Sequence, residues 1–260
     1  MFFDPLQAGT AEDGFHARRS SRLHLRQEKL ILDLVAPVAG ESVLDVGCGS
    51  GSYLRLFGRK KCLLTGMDPS AAALEAARRN LGASCELVLG NAADIPFSDN
   101  EFDVVALTGG LQSSANPQKA LAEAVRVSRN RVFVGFLNRY SSAGTEHAVR
   151  NFFGFPAASN LRFFSIGEMQ TLIHKTMSGA QIQWGSVMCL PGPAVALLSS
   201  LEELFPMRNN PLGAFVGMVF AVNYTYRTVQ HPVLNSFKLK ARERAAAPEA
   251  VRDMLREGKP

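Results

Sequence analysis

Cysteine is scarce in this sequence and nowhere arranged for a metal or a disulfide framework. Cys48, Cys62, Cys85 and Cys189 form no C-x-x-C pair, and no His/Cys cluster has metal-ligand spacing. No metal is expected, and reduced thiols of a cytoplasmic protein are the simplest reading. The N-terminus, MFFDPLQAGTAEDGFHARR, lacks the basic start and apolar run of a signal peptide. Long apolar runs are missing as well. The most apolar stretch, Leu212 to Val222, is about half of what a membrane helix needs, which argues against membrane insertion. There is no internal repeat, and no linker that would split the chain into two independent cores.

What is present is ordinary globular material. The chain has 260 residues, 47% hydrophobic and 20% charged, enough for a sizeable core without staples. The net charge is +5, with the excess in Arg18, Arg19, Arg22 and Arg26 and in the tail after Lys238. Basic arms can meet nucleic acid or anionic lipid, but a solvated helix face and a solvated tail are the favoured reading.

Hydrophobic periodicity gives a coarse map. The first fifteen or so residues read as loose. Residues 22–36 carry Leu23, Leu30 and Leu34 at helical spacing and stop at Pro37 and Gly40. Strands and helices then alternate. Ser42–Gly47 is a strand, Ser50–Gly58 a helix and Cys62–Asp68 a strand. A helix from Ser70 to Asn80 is closed by Gly82. Cys85–Leu89 and Phe102–Leu107 are strands. Asn116-Pro117 opens a helix to about Ser128, and Arg131–Leu137 is a strand. Ser165-Ile-Gly-Glu168 is a capping box opening a helix to about Met177. Further strands are expected at Gln181–Leu190 and Phe215–Tyr226, a helix at Pro193–Leu204, and a helix or frayed tail over 238–260. Such alternation implies βαβ units and a mostly parallel sheet with helices on both faces.

The strongest single signal is Val43-Leu-Asp-Val-Gly-Cys-Gly-Ser-Gly51. A buried strand runs into Gly47, Gly49 and Gly51 and then into a helix. Glycines let the backbone turn sharply and let a ligand lie against it, beyond the carboxyl ends of the strands. The spacing is G-x-G-x-G, one residue shorter than the dinucleotide fingerprint. Asp45 puts negative charge where a pyrophosphate would be repelled and an amine or sulfonium welcomed. The second signal is Asp68 in Gly66-Met-Asp-Pro-Ser70, seventeen residues after Gly51. An acid there can accept from two ribose hydroxyls. It can equally cap the next helix.

With these residues in view, the chain resembles the class I S-adenosylmethionine (SAM)-dependent methyltransferases. Within them it is similar to the small-molecule, ubiquinone/menaquinone-biosynthesis (type 11) group. VLDVGCGSG and GMDPS match the first two motifs. Gly90-Asn-Ala-Ala-Asp-Ile-Pro-Phe97 and Asp99-Asn-Glu-Phe-Asp-Val-Val105 match the next stretch, and the pattern extends over roughly residues 41–137. The resemblance implies an α/β Rossmann-like doubly wound sheet of seven strands, mostly parallel with the last antiparallel. It implies SAM as the cofactor. Gly47, Cys48, Gly49 and Gly51 would pack against its methionine part and Asp45 would meet its amino group. Asp68 would hold the ribose, with Met67 and Pro69 flanking the adenine. Asn91 and Ala92 would meet the adenine edge, and Thr108 would lie near the sulfonium. Three positions depart from the family pattern. Asn91 stands where an Asp is common, Gln112 and Ser113 replace histidines, and Ser128-Arg-Asn-Arg131 replaces a Pro-Gly-Gly turn.

The expected domains are a helical cap over 1–40, the SAM-binding domain over 41–230 with inserts at 139–164 and 191–212, and a charged tail over 231–260. The expected activity is methyl transfer to a small, partly apolar molecule. An RNA or protein methyltransferase and a SAM-binding regulatory protein are the rival readings. No catalytic residue is assigned. His16, His147, His174, Tyr53 and Tyr140 are the candidate bases outside the SAM motifs. The aromatic run Phe152, Phe153, Phe155, Phe163 and Phe164 reads as a lining for the acceptor pocket or as core. Cys48 reads more readily as a small filler under the loop than as a nucleophile.

Overall fold

In the computed structural model the described residues are 13–141, Thr145, 162–187 and 210–222, with side chains from His24 onward. By compactness the chain divides into Met1–Asn223 and Tyr224–Pro260, and all described residues lie in the first unit. Its elements are α1 (Asp13–Val35), β1 (Ser42–Val46), α2 (Ser52–Gly58), β2 (Leu63–Asp68), α3 (Ala71–Leu81), β3 (Cys85–Leu89), β4 (Phe102–Leu107), α4 (Gly110–Ser113), α5 (Pro117–Val127), β5 (Ser128–Leu137), α6 (Ile166–Thr176), β6 (Ile182–Val187) and β7 (Phe215–Ala221).

The seven strands form one sheet in the order β3-β2-β1-β4-β5-β7-β6. β1 to β5 pair in parallel, and β7 runs antiparallel to both β5 and β6. The architecture is therefore the Rossmann-like doubly wound sheet that the resemblance implied. The order reverses between β1 and β4, which opens a crevice at their carboxyl ends.

Both faces of the sheet are covered. On one face Leu44, Val46, Val105, Leu107, Val132 and Val134 pack under Leu121 and Ala124 of α5 and Met169 and Ile173 of α6. On the other, Val43, Val104, Ala106 and Phe133 pack under Leu30, Ile31 and Leu34 of α1 and Leu56 and Phe57 of α2. Helix ends follow the expected chemistry. Ser70 Oγ accepts from Ala73 N, Asn116 Oδ1 accepts from Lys119 N with Pro117 behind it, and Ser165 and Glu168 cap each other reciprocally.

Three elements differ from expectation. Helix α1 begins at Asp13 and not near residue 22, because its first turns are mostly polar and give the apolar spacing little to mark. Helix α4 was not foreseen, being four residues long and opening on glycines. Strand β5 begins at Ser128, where the pairing with β4 shifts register between Phe102 and Val104. There Arg129 and Asn130 donate to Asp103, and Arg131 donates to Glu41 at 2.7 Å and 2.8 Å, so side chains hold the strand start that a Pro-Gly-Gly turn would otherwise shape. Strands β6 and β7 are described to Val187 and Ala221. The expected helices at 193–204 and 238–260 lie outside the described residues.

One buried residue ties the carboxyl edge together. Asn138 follows β5 and is fully buried. Its Nδ2 donates to the carbonyls of Pro211 (2.7 Å) and Gly213 (3.0 Å), and its Oδ1 accepts from Tyr140 N. It also forms a parallel bridge with Phe164. The chain thus leaves the sheet at Asn138 and returns beside it at Phe164. It leaves again after Val187 and returns at Asn210, whose carbonyl accepts from Ser186 Oγ. Both excursions start and end on the edge where the crevice opens. Truncating Asn138 takes its donor from the carbonyls of Pro211 and Gly213, the second of them buried. Asn138→Ala is expected to lower the unfolding free energy by about 2–3 kcal/mol, read as a lower urea midpoint at unchanged slope. A midpoint equal to that of the parent chain would refute the clamp.

Candidate functional site

The site grows from the end of β1. Gly47, Gly49 and Gly51 all have positive φ (77°, 55° and 82°), so the turn is one that side-chain-bearing residues rarely adopt. Each has a further reason to be glycine. A Cβ on Gly47 would lie 2.2 Å from Gly110 N, because this turn packs backbone to backbone against the start of α4. A Cβ on Gly51 would lie 2.6 Å from Leu81 of α3. A Cβ on Gly49 would meet nothing within 4 Å. The first and last glycines seat the loop, and the middle one faces open space.

The loop is pinned to β2. The N–H groups of Gly47 and Cys48 both donate to Met67 O, at 2.7 Å and 3.1 Å. Gly49 N donates to Asp68 Oδ2 (2.9 Å), and Ser70 N donates to Asp68 Oδ1 (2.9 Å). Asp68 is buried, and it organises the loop. Ser70, not Asp68, caps α3. Each carboxylate oxygen keeps acceptor capacity for a second donor.

Asp45 faces the same crevice from β1. It is fully buried. Its Oδ1 accepts from Thr108 Oγ1 at 2.6 Å, a bond reaching from the end of β4. Its Oδ2 is buried without a partner among the described residues. Burial raises its pKa from the ordinary 3.8 to about 7, with the charge of Asp68 adding to the rise and the Thr108 hydrogen bond opposing it. The Tyr53 phenol, two residues past Gly51, is likewise pushed up by burial and by Asp45 and Glu28.

The other nominated residues divide. Pro69 is exposed beside Asp68, and Thr108 is buried against Asp45. Ala92 is buried, while Asn91 is exposed, with its Oδ1 accepting from Ala93 N in a local turn. That loop is held from α5. Arg126 donates to the carbonyls of Ile95 and Phe97, and Glu123 accepts from Ile95 N. The side chain of Met67 is sealed in the core and packs toward Gly90. Strand alternation explains this, since Asp68 faces the crevice and its neighbour must face the other way. The Cys48 side chain packs with Leu54 and Leu74 beneath the loop, and burial pushes its thiol pKa up, so it is an inert filler and only its backbone borders the turn.

The candidate bases and the aromatic lining fare unevenly. Tyr53 is half-buried and packs against the core beneath α1. Tyr140 is exposed, and His174 is exposed in the last turn of α6. His147, and Phe152, Phe153 and Phe155, lie outside the described residues, and the side chain of His16 is not described. Phe164 is fully buried, edge-on to Phe136 with their ring centroids 6.3 Å apart. Of the two readings of the aromatic run, Phe164 follows the core one. Gln112 of α4, one of the departures from the family pattern, is buried with Nε2 unpartnered among the described residues. The pairing of His24 with Glu28 on α1 went unnoticed in the sequence.

Glycine turn, paired aspartates and strand order together define the class I SAM-dependent methyltransferase fold. More particularly, residues 44–134 match the family model described as a methyltransferase domain. The chain is 34% identical over 104 residues to a demethylmenaquinone methyltransferase of Renibacterium salmoninarum, covering 40% of this chain and 44% of the relative. It is 32% identical over 114 residues to a ubiquinone/menaquinone biosynthesis C-methyltransferase of Roseobacter denitrificans, covering 41% and 46%. The chain thus spans less than half the length of the curated relatives it matches. Among solved structures it is similar to a SAM-dependent methyltransferase of Thermotoga maritima described as a possible histamine N-methyltransferase. The TM-score is 0.58 at 23% identity, with 80% of this chain and 95% of that one covered. It is also similar to the magnesium protoporphyrin IX methyltransferase of Synechocystis with bound S-adenosylhomocysteine, with a TM-score of 0.58 at 13% identity over 84% and 91%. These structural likenesses speak to the fold. Among the described residues, no helix is long and apolar enough to cross a membrane, and no group of His, Cys, Asp and Glu is placed to hold a metal.

Proposed function

We propose that this chain is a SAM-dependent methyltransferase acting on a small, partly apolar acceptor in the cytoplasm. The observation that carries the reading is the buried, unpartnered Oδ2 of Asp45 beside an open glycine turn. An orphaned buried carboxylate oxygen is costly unless a donor or a cation arrives. The amino group of SAM answers that need, and the open space over Gly49 suits its methionine part. Asp68 would hold the ribose, with Pro69, Asn91 and Ala92 about the adenine and Thr108 on the sulfur side. When bound, SAM supplies a methyl carbon made electrophilic by its sulfonium. The protein's own part is to align the acceptor with that carbon and to exclude water. Similarity to quinone methyltransferases supports an aromatic or apolar acceptor over a phosphate-rich polymer.

Calorimetry tests the cofactor. SAM and S-adenosylhomocysteine are expected to bind, and NAD is not, because the loop is one residue short of the dinucleotide pattern and Asp45 would repel a pyrophosphate. Asp68→Ala should weaken SAM by about 1–3 kcal/mol, through loss of charge-assisted hydrogen bonds and a loosened Gly49 turn. Binding of NAD without SAM would overturn the reading, and unchanged SAM affinity in the variant would remove Asp68 from the site.

A further inference from the structure

Residues 90–101, between β3 and β4, form neither helix nor strand, yet they are tied down along their length. The stretch starts against Asp68, whose carbonyl accepts from Gly90 N at 3.2 Å. Residues 91–94 then close into a tight turn. Asp94 N donates to Asn91 O, and Ala93 N donates to Asn91 Oδ1 at 3.0 Å. The second of these bonds keeps the amide oxygen of Asn91, and not its nitrogen, on the side of the turn. Two polar groups of adjacent residues are left over. The Ala92 N–H has no partner among the described residues, and Asn91 Oδ1 keeps a second lone pair. A hydrogen-bond donor next to an acceptor is the complement of the N1 and 6-amino edge of adenine.

What holds this turn comes from α5. Glu123 and Arg126 lie three apart on that helix, which Leu121 and Ala124 anchor in the core. Arg126 grips Glu123 with two bonds, Nε to Oε1 at 3.0 Å and Nη2 to Oε2 at 2.6 Å. Its other N–H groups donate to Ile95 O, Phe97 O and Asp99 Oδ1, each at 2.8 Å. All five guanidinium N–H groups are thus engaged. Glu123 Oε2 also accepts from Ile95 N at 3.1 Å. Both backbone polar groups of Ile95 therefore end on one ion pair, one residue beyond the turn. The Ile95 side chain is buried in the core with Ala92. Hydrogen bonds from Arg126 and from Ile95 N hold the Glu123 carboxyl below the usual carboxylate range, so the pair stays charged. A partly exposed ion pair adds little to stability. Its larger effect is to fix the place of an irregular stretch, as supporting residues do around a binding site.

We propose that Glu123 and Arg126 are positioning residues for the base of the methyl donor, holding the 91–94 turn where it selects a 6-amino purine over a 6-oxo purine. The inference rests on the methyltransferase reading above, with Asn91 and Ala92 at the adenine edge. A 6-oxo purine carries a proton on N1 and an acceptor at C6. It would meet the Ala92 N–H proton to proton and Asn91 Oδ1 oxygen to oxygen, a mismatch that discriminates as long as the turn stays in place. A turn free to shift escapes the mismatch. A turn clamped at both the N–H and the carbonyl of Ile95 does not.

The test is calorimetry on the whole chain with S-adenosylhomocysteine and S-inosylhomocysteine, which differ only at the base. The parent chain is expected to prefer the adenosyl compound about 100-fold. Arg126→Gln should cut that preference to about tenfold or less, mainly by weakening the adenosyl compound. Glu123→Gln should fall between, since an amide oxygen can still accept from Ile95 N. Arg126→Lys should restore part of the preference, since an ammonium can still reach one carbonyl. The rise of SAM affinity between about pH 5 and 7, which belongs to Asp45 at the other end of the ligand, should persist in all three variants. Urea midpoints taken alongside separate a moved turn from an unfolded chain, and if Arg126→Gln does not fold, the ratio in Glu123→Gln decides. A preference unchanged in the variants, or a loss shared equally by the two compounds, overturns the positioning role. A parent chain that does not distinguish the two compounds overturns the turn as the reader of the base. A parent chain that binds neither SAM nor S-adenosylhomocysteine overturns the methyltransferase reading first, an outcome seen before any variant is made.

Discussion

Gly47→Ala is expected to cost about 3–5 kcal/mol of unfolding free energy and to abolish SAM binding. Two terms add. The residue sits at φ 77°, where an L side chain costs about 1–2 kcal/mol. The new methyl would also lie 2.2 Å from Gly110 N and 2.6 Å from Gly110 Cα. Both neighbours are backbone, so no rotamer change relieves the overlap. The β1 turn and the start of α4 must part, and that moves Asp45 relative to Thr108. Gly49→Ala is the control. It has a similar left-handed backbone but open space around the Cβ, so it should lose only about 1–2 kcal/mol of stability. It should still bind SAM poorly, because its methyl occupies the space assigned to the ligand. Gly51→Ala should fall between them, since Leu81, a flexible side chain, can give way. Urea unfolding of the three variants checks the order. If Gly47→Ala is as stable as Gly49→Ala, the backbone contact with α4 does not exist as described.

How far the sequence alone reaches can be read from particular residues. The parallel strands were visible because both their faces are buried, which leaves short apolar runs such as Val43-Leu44 and Val104 to Leu107 between glycines and capping residues. Asp45, the glycine turn and Asp68 were visible because they sit consecutively at strand ends. Thr108 could be nominated, but its bond to Asp45 spans 63 residues and needs the β1–β4 pairing to bring it about. Met67 was misplaced by reading along the chain without the alternation of a strand. Phe164 could be read as liner or as core, and its place in the core beside Asn138 is one that no local pattern encodes. Asn138 itself carries no signal beyond being an amide after a strand. The spacing of His24 and Glu28, four apart on a helix, was present from the start.

Asp45 carries the other large expectation, and its sign differs between the empty and the loaded protein. The folded pKa, about 7, lies above the ordinary 3.8 of an aspartate. The contribution of this group to the stability of the empty protein is therefore fully present below about pH 4 and is lost as pH rises through 7. A rise of that size corresponds to a penalty on the order of 4 kcal/mol once the carboxylate is ionised. Asp45→Asn removes the charge but keeps an oxygen for Thr108. The variant is thus expected to be more stable than the parent chain at pH 8 when empty, by up to that amount, and equal to it near pH 4. Binding behaves oppositely. An ammonium or sulfonium beside Asp45 favours the carboxylate, so SAM affinity should rise from about pH 5 to 7, with proton release, and then level off. In Asp45→Asn the affinity should fall about 10- to 100-fold at pH 8 and lose its pH dependence, as expected for a lost hydrogen bond to a charged group. Thermal unfolding and calorimetry across this range check both halves. A variant that is no more stable when empty, or that keeps the pH dependence of SAM binding, would show that the unpartnered oxygen of Asp45 is not where the ligand's positive charge goes.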